Sequence, residues 1–457
     1  MADLLTPEES RVVDELLPRL GTFQAANERA YRYYDGQHTA AQFGISVPPQ
    51  MNNLEVALGW AGKVCDVVNA RLQLQGWVSA ADSNPFGLRD VFHANGLEVV
   101  SSQAHLDAMV CGCGFVVVGS GAEGEPDPLV TVHSPSNMTA RYSLRTRRLE
   151  SALSVYRSDY GDEAVATLYL PDETVSLVRE SVGPWMVVDR DRHNLGRVPV
   201  VRVANRARTG RPFGRSEITR SIRASQDAGA RQMLNMQVNA EFFAAPQRWV
   251  MGAAEEAFGG QSQWQLVQGR LLALSSDIDG NQPTVGQFEQ SSPTPYLDVL
   301  RQLARQVASD ADLPVRYFDD DSSEPTSADA IRADEAALVQ RVKRKQSEFA
   351  AAWSEVAELA LLVRDGRVPD EFRGVSPVWA SAATPTRAAN TDAAQKWIAS
   401  GIVPASSDVI LEMLDFSEFD RERIRVEREN EPDEPEVVPA AEPGVQSVGP
   451  DEVDRAV

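Results

Sequence analysis

From Ser327 to Asp365 the chain runs thirty-nine residues without a proline or a glycine. Ile331, Leu338, Val342, Phe349, Trp353, Val356, Ala360 and Val363 recur in steps of three, four and seven, which is one apolar stripe along an α-helix. Gly366 follows as a stop. At 1.5 Å per residue the helix spans roughly 58 Å. Helices of globular proteins average three to four turns. A rod this long needs a neighbouring element or another subunit along its stripe, and that requirement shapes everything else the chain does.

Other segments carry their own punctuation. Thr6-Pro7-Glu8-Glu9 is a capping box with proline in the first turn, and Val12, Val13, Leu16, Leu17 and Leu20 continue it at helical spacing. Further helices are expected near Asn52–Asn69 and Leu97–Val110. From Phe115 to Val203, short β-prone runs alternate with turn residues in the manner of an antiparallel meander. Helices return with Ser216–Ala245, capped by Ser216 and stopped by Pro246, and with Ser292–Leu313, stopped by Pro314. The second has a seam of Tyr296, Leu300, Leu303 and Val307. Between them, Gln247–Ser291 reads as a small mixed module. A polar loop, Pro314–Thr326, leads into the long helix, and Thr384–Val426 reads as short helices. Strands followed by helices define an α+β protein rather than α/β.

The 457 residues carry 44 basic and 66 acidic side chains, a net charge of -22. That balance argues against a protein that grips DNA non-specifically, which takes lysine and arginine on phosphates. The stretch Glu429–Val457 has nine acidic residues, one basic residue and five prolines. It is expected to be a disordered acidic tail. No signal peptide and no apolar run of spanning length is visible, so no membrane partner and a cytoplasmic address are expected. Three cysteines cannot build a disulfide framework.

Four short motifs are candidates for chemistry. Gly119-Ser-Gly121-Ala-Glu-Gly124 is a formal G-x-G-x-x-G after a strand, but Glu125-Pro-Asp-Pro128 follows where a phosphate-binding helix would have to open. A hairpin turn is the better reading. Cys111, Cys113 and His105 fall short of a four-ligand zinc set. They read as small buried groups at a helix-to-strand junction. Asp319, Asp320 and Asp321 with Ser322 and Ser323 form an acidic loop without the spacing of a calcium loop. Arg341, Lys343, Arg344 and Lys345 cluster inside the long helix, as a solvated face or as a phosphate-facing patch. No catalytic site, metal site or cofactor site emerges, which shifts weight from an enzyme to a structural or assembly role.

The order of these segments resembles one family. Val198-Pro-Val-Val-Arg-Val-Ala-Asn205, Gly214-Arg-Ser216-Glu-Ile218 and Phe242-Phe-Ala-Ala-Pro246 look like the core of portal proteins of tailed double-stranded DNA bacteriophages. Ala311-Asp-Leu-Pro314-Val, Pro325-Thr-Ser327-Ala-Asp329-Ala-Ile331, Gly401-Ile-Val-Pro404 and Ile410-Leu-Glu-Met-Leu414 continue the likeness. The resemblance covers about Leu4 to Arg428. It implies a homo-oligomeric ring of twelve subunits at one capsid vertex. Double-stranded DNA would pass through it, and terminase, head-tail adaptor, major capsid and scaffolding proteins would be its partners. It implies a wing over 1–215, stem helices over 216–245 and 292–313, and a clip over 246–291. A channel loop over 314–326, with Arg316, Tyr317 and Asp319–Ser323, a long helix over 327–366 and a crown over 367–428 complete the division. Two other readings compete: an assembly adaptor without a channel, and a nucleotide-dependent enzyme using the Gly119–Gly124 turn.

Overall fold

A computed structural model describes residues 3–37, 56–80, 82–157, 164–179, 183–243, 248–251, 284–287, 292–319, 327–383, 387–405, 407–414, 416 and 418–429. Most of the expected clip, the residues Asp320, Asp321, Ser322 and Ser323, and the acidic tail beyond Glu429 lie outside the described residues. The chain divides into two units, Met1–Ala383 and Thr384–Val457.

The first unit opens with β1 (Asp3–Leu4) and α1 (Pro7–Tyr34). Thr6 Oγ1 accepts from the Glu9 amide and Glu9 Oε2 accepts from the Thr6 amide at 2.8 Å, so the capping box is complete. Next come α2 (Trp60–Asn69), β2 (Leu74–Val78), α3 (Leu88–Ala94) and α4 (Leu97–Cys111). The strand-rich stretch holds β3 (Cys113–Gly119), β4 (Leu129–His133), β5 (Met138–Tyr142) and β6 (Leu149–Arg157). It continues with β7 (Ala164–Tyr169), β8 (Thr174–Arg179), β9 (Met186–Asp191) and β10 (Val200–Ala204).

These strands do not make one meander. Antiparallel neighbours β5 to β9 do, closed by β1 at the edge in the order β1-β9-β8-β7-β6-β5. Strands β3 and β4 leave to join β10 in a second sheet ordered β10-β3-β4. The reason is visible in β3, whose apolar run is buried on both faces. Phe115 and Val117 pack with Met138, Ala152 and Tyr169 of the large sheet. Val116 and Val118 belong to the main core with the helices. The other face of the large sheet closes on α1 through Val13, Leu16, Leu153, Leu168, Val175 and Leu177.

Two helices follow the sheets, α5 (Arg220–Phe243) and α6 (Thr294–Asp310), packed along each other as a hairpin. Ser221 donates to the Asp310 carboxylate at its base. Beyond them lie the paired strands β11 (Arg248–Met251) and β12 (Thr284–Gln287). The long helix is α7 (Ala328–Asp365), capped by the Ser327 side chain and ended by Gly366 in the left-handed region. Its stripe rests on β3, β10 and β13 (Ser376–Trp379) of the same chain. Leu338, Val342, Phe349, Trp353 and Val356 are wholly buried, whereas Ile331 is 39% exposed. Arg197 ties the helix to the sheets by ion pairs to Glu355 at 2.7 Å and Glu358 at 2.8 Å. Because β13 pairs with β2, residues 367–383 of the expected 367–428 segment belong to the first unit.

The second unit contains α8 (Arg387–Ala399), α9 (Asp408–Met413) and α10 (Glu418–Glu429). Ser407 caps α9, and Arg425 pairs with Asp408 at 2.7 Å.

His105 of α4 lies at the heart of the first unit. Its ring stacks on Phe349 with centroids 5.0 Å apart, and its Nε2 accepts from the Trp353 indole at 2.7 Å. Burial pushes its pKa down to about 3. The folded protein therefore stays unprotonated here while the unfolded chain binds a proton below 6.5. Stability rises with pH wherever the unfolded state binds more protons. From pH 6.5 down towards 3, this site should weaken the fold by roughly 1 kcal/mol per pH unit. Urea unfolding of the wild type and of His105→Gln between pH 7 and 4 checks this. The variant should show the shallower pH dependence; parallel curves would contradict it.

Candidate functional site

The expected channel loop grows from a well-tethered root. After α6, Val315–Tyr317 forms a single 3-10 turn. The Arg316 guanidinium reaches Asp334 at 3.2 Å and also pairs with Glu335, both on α7. Arg71 meets the same Glu335 carboxylate at 3.1 Å and donates to Ala382 O at 3.3 Å. Lys63 donates to Tyr317 O at 2.9 Å, and the rings of Tyr317 and Phe318 pack against the core. Asp319 is the last described residue of this turn, and the chain resumes at Ser327. Arg316 and Tyr317 thus hold the start of the loop against α2 and α7. Glu335 serves two guanidinium groups and is itself largely buried. Replacing it with glutamine is expected to cost about 2 kcal/mol, since hydrogen bonds to charged groups contribute roughly 1.5–3 kcal/mol. Urea midpoints in low and high salt measure this, with the wild type the more salt-sensitive of the two.

The basic cluster of the long helix is split by the fold. Lys343 and Arg344 are exposed, while Arg341 and Lys345 are buried at 6% and 1% exposure. The phosphate-facing reading is corrected for these last two, because their charges are answered inside the protomer. Arg341 Nη2 lies 2.8 Å and Lys345 Nζ 2.7 Å from the two oxygens of Glu217, and Arg206 adds a contact at 3.1 Å. Lys345 also donates to the side chain of Asn205 and pairs with Glu348 at 3.1 Å. Burial alone would raise the Glu217 carboxyl, but the charges of Lys345, Arg341 and Arg206 outweigh it and hold the pKa below its ordinary value.

This cluster is the joint between β10, the segment leading into α5 and the long helix. The Glu217 amide donates to Met109 O at 2.8 Å, so the residue is fastened to the end of α4. The pinned residue explains why α5 starts at Arg220 and not at Ser216. Two glycines make the close approach possible. Gly112 at the α4–β3 corner has φ +111, and Gly214 has φ +69 with the carbonyls of Asn205 and Gly112 against it.

The remaining motifs resolve simply. Residues 120–128 connect β3 to β4, and Glu125 and Asp127 accept from the amides of Ala122 and Gly121. The protein's own carboxylates occupy the amides that a phosphate would need. Cys113 is buried and Cys111 partly so, and burial raises both thiols above their ordinary pKa. His105 is engaged with Trp353, not with the thiols. Among the described residues no group of histidine, cysteine and carboxylate side chains could hold a metal ion. Glu217 belongs to none of the candidate motifs, although the sequence carries a signal for it. From Arg197 to Arg223 there are eight arginines and this single carboxylate. Lys63 and Arg71 carried no local signal, since their partners lie 246 to 311 residues away along the chain.

A helical hairpin with a two-stranded head, a tethered turn and a long helix laid on two sheets define a portal architecture. The chain belongs to the phage portal protein family described as SPP1 Gp6-like, whose model matches residues 23–433. It is 31% identical over 444 residues to the portal protein of Mycobacterium phage D29, covering 92% of this chain and 90% of that one. It is 32% identical over 414 residues to the portal protein of Mycobacterium phage L5, covering 86% and 83%. Among solved structures it is similar to a chain of the virion of a native gene transfer agent particle. There the TM-score is 0.45 and the identity 12%, with 86% of this chain and 93% of that chain covered.

Proposed function

We propose that twelve copies of this chain form the ring at one vertex of a phage capsid, through which double-stranded DNA enters and leaves. Terminase, head-tail adaptor, major capsid and scaffolding proteins are its partners, the virion is its final location and the host cytoplasm its place of assembly. The observation that carries the reading is the family match over residues 23–433. The architecture supports it: the first unit through the sheets supplies the wing, α5 and α6 the stem, residues 246–291 the clip, and 314–326 the channel loop. The acidic balance fits a conduit, because a net negative wall leaves phosphates free to slide. Channel-lining roles are proposed for Asp319–Ser323, and of the basic cluster only for Lys343 and Arg344. In this reading the ring hydrolyses nothing and takes no cofactor.

Negative-stain microscopy with light scattering tests this. Rings with a central hole, at about twelve times the 50.0 kDa chain mass, are the expected result. A particle that remains a monomer or dimer at high concentration would overturn the ring, leaving a channel-less assembly adaptor as the reading.

A further inference from the structure

We propose that the arginine-rich turn from Arg206 to Arg220, with the cavity it rims, is one side of the contact between neighbouring copies of this chain. The inference rests on the ring reading above. Eight arginines and one carboxylate between Arg197 and Arg223 are an anomaly in a chain of net charge -22. Four of the eight are used internally. Arg197 pairs with Glu355 and Glu358, and Arg206 with Glu217. Arg202 lies 4.0 Å over the Tyr142 ring, and Arg223 lies 5.8 Å over Tyr33. The other four, Arg208, Arg211, Arg215 and Arg220, are exposed, and among the described residues none meets a carboxylate.

Their placement is specific. Arg208 and Arg211 exchange backbone hydrogen bonds at 3.2 and 2.8 Å, a tight turn that sets both side chains at one edge. Arg211, Arg215 and Arg19 surround a cavity of about 460 Å³ walled by Phe115, Met138 and Phe213. Phe23 stands at its lip, 46% exposed. Cations around an apolar hollow fit an acidic surface that projects an apolar side chain. Duplex DNA offers phosphates but nothing to fill the hollow. A second copy of the chain, with its net charge of -22 and exposed apolar side chains such as Leu144 and Val188, offers both. A cyclic ring joins its subunits head to tail, so each contact matches two different patches of one chain. Copies of a strongly acidic chain repel one another. A basic patch at the contact offsets that repulsion, and Arg208, Arg211, Arg215 and Arg220 supply one.

The test compares R208E/R211E/R215E with R208K/R211K/R215K by light scattering and negative-stain microscopy, with thermal unfolding as a control on folding. The lysine variant should assemble as the wild type does. The glutamate variant should keep the wild-type melting curve, and the concentration for half-assembly should rise at least about tenfold, since 1.4 kcal/mol per contact is already a factor of ten. Wild-type rings should dissociate more readily as salt rises. A glutamate variant that forms rings at the wild-type concentration overturns this proposal and leaves the ring reading standing. A wild type that never forms rings overturns the ring reading itself. Cys111, on the cavity wall, gives a second measurement independent of the variants. Its alkylation should be slower in rings than in dissociated protein, and equal rates would count against the contact.

Discussion

Glu217→Gln should destabilise the first unit by about 3–5 kcal/mol, the usual cost of removing one partner from a buried ion pair. The carboxylate faces Arg341 at 2.8 Å and Lys345 at 2.7 Å, and all three side chains are almost fully buried. Glutamine keeps the shape and removes the charge. Two cations are then left in a low-dielectric interior, with Glu348, at the cluster's edge, and Asn205 as their remaining partners among the described residues. The substitution leaves the bond from the Glu217 amide to Met109 O in place, so its cost is carried by the charges. Equilibrium unfolding in urea should show a lower midpoint. The double variant Glu217→Gln with Lys345→Met should recover part of the loss, since it withdraws one of the stranded charges. No recovery would mean that the cost does not lie in the stranded Lys345 charge. The pH dependence follows from the direction of the shift. The folded carboxyl has a lowered pKa, so its contribution is present above the ordinary 4.5 and fades as pH falls below it. A Glu217→Gln protein should therefore lose less stability between pH 6 and 3 than the wild type.

Local signals made much of this fold legible. The capping box at Thr6–Glu9 marks the start of α1, and Ser327 and Gly366 bound α7 where the uninterrupted stripe said they would. The β-prone runs correspond to strands, because alternation and turn residues are written within a few positions of each other. What was hidden depends on distant partners. The division of the strands into two sheets follows from β3 being buried on both faces, and β3 acquires its second face only from helices elsewhere in the chain. Arg341 and Lys345 look like a solvated face beside Lys343 and Arg344. They are buried because the helix turns those two positions towards Glu217, which is 124 residues from Arg341. Sequence spacing put four cations on one helix; only the fold says which two are spent.

Gly214→Ala should cost more than about 3 kcal/mol and prevent α5 from seating correctly. The position has φ +69, which for an L-residue costs roughly 1–2 kcal/mol by itself. A Cβ there would lie 2.2 Å from Asn205 O and 2.4 Å from Gly112 O, both backbone atoms that cannot swing aside. Those carbonyls are also committed: Gly112 O accepts from the Asn205 amide at 2.8 Å, and Asn205 O accepts from the Arg215 amide at 2.9 Å. Relieving the overlap breaks one or both bonds, two and three residues before Ser216 and Glu217. The damage should therefore spread into the ion cluster, and the two substitutions Gly214→Ala and Glu217→Gln should be less than additive. Gly210→Ala is the matched control in the same turn. A Cβ there meets nothing within 4 Å and its backbone is not left-handed, so the change should stay within about 0.5 kcal/mol. Thermal unfolding of the two alanine variants decides the matter. If Gly214→Ala melts with the wild type, the turn is not clamped between α4 and β10, and the joint does not hold α5 as described.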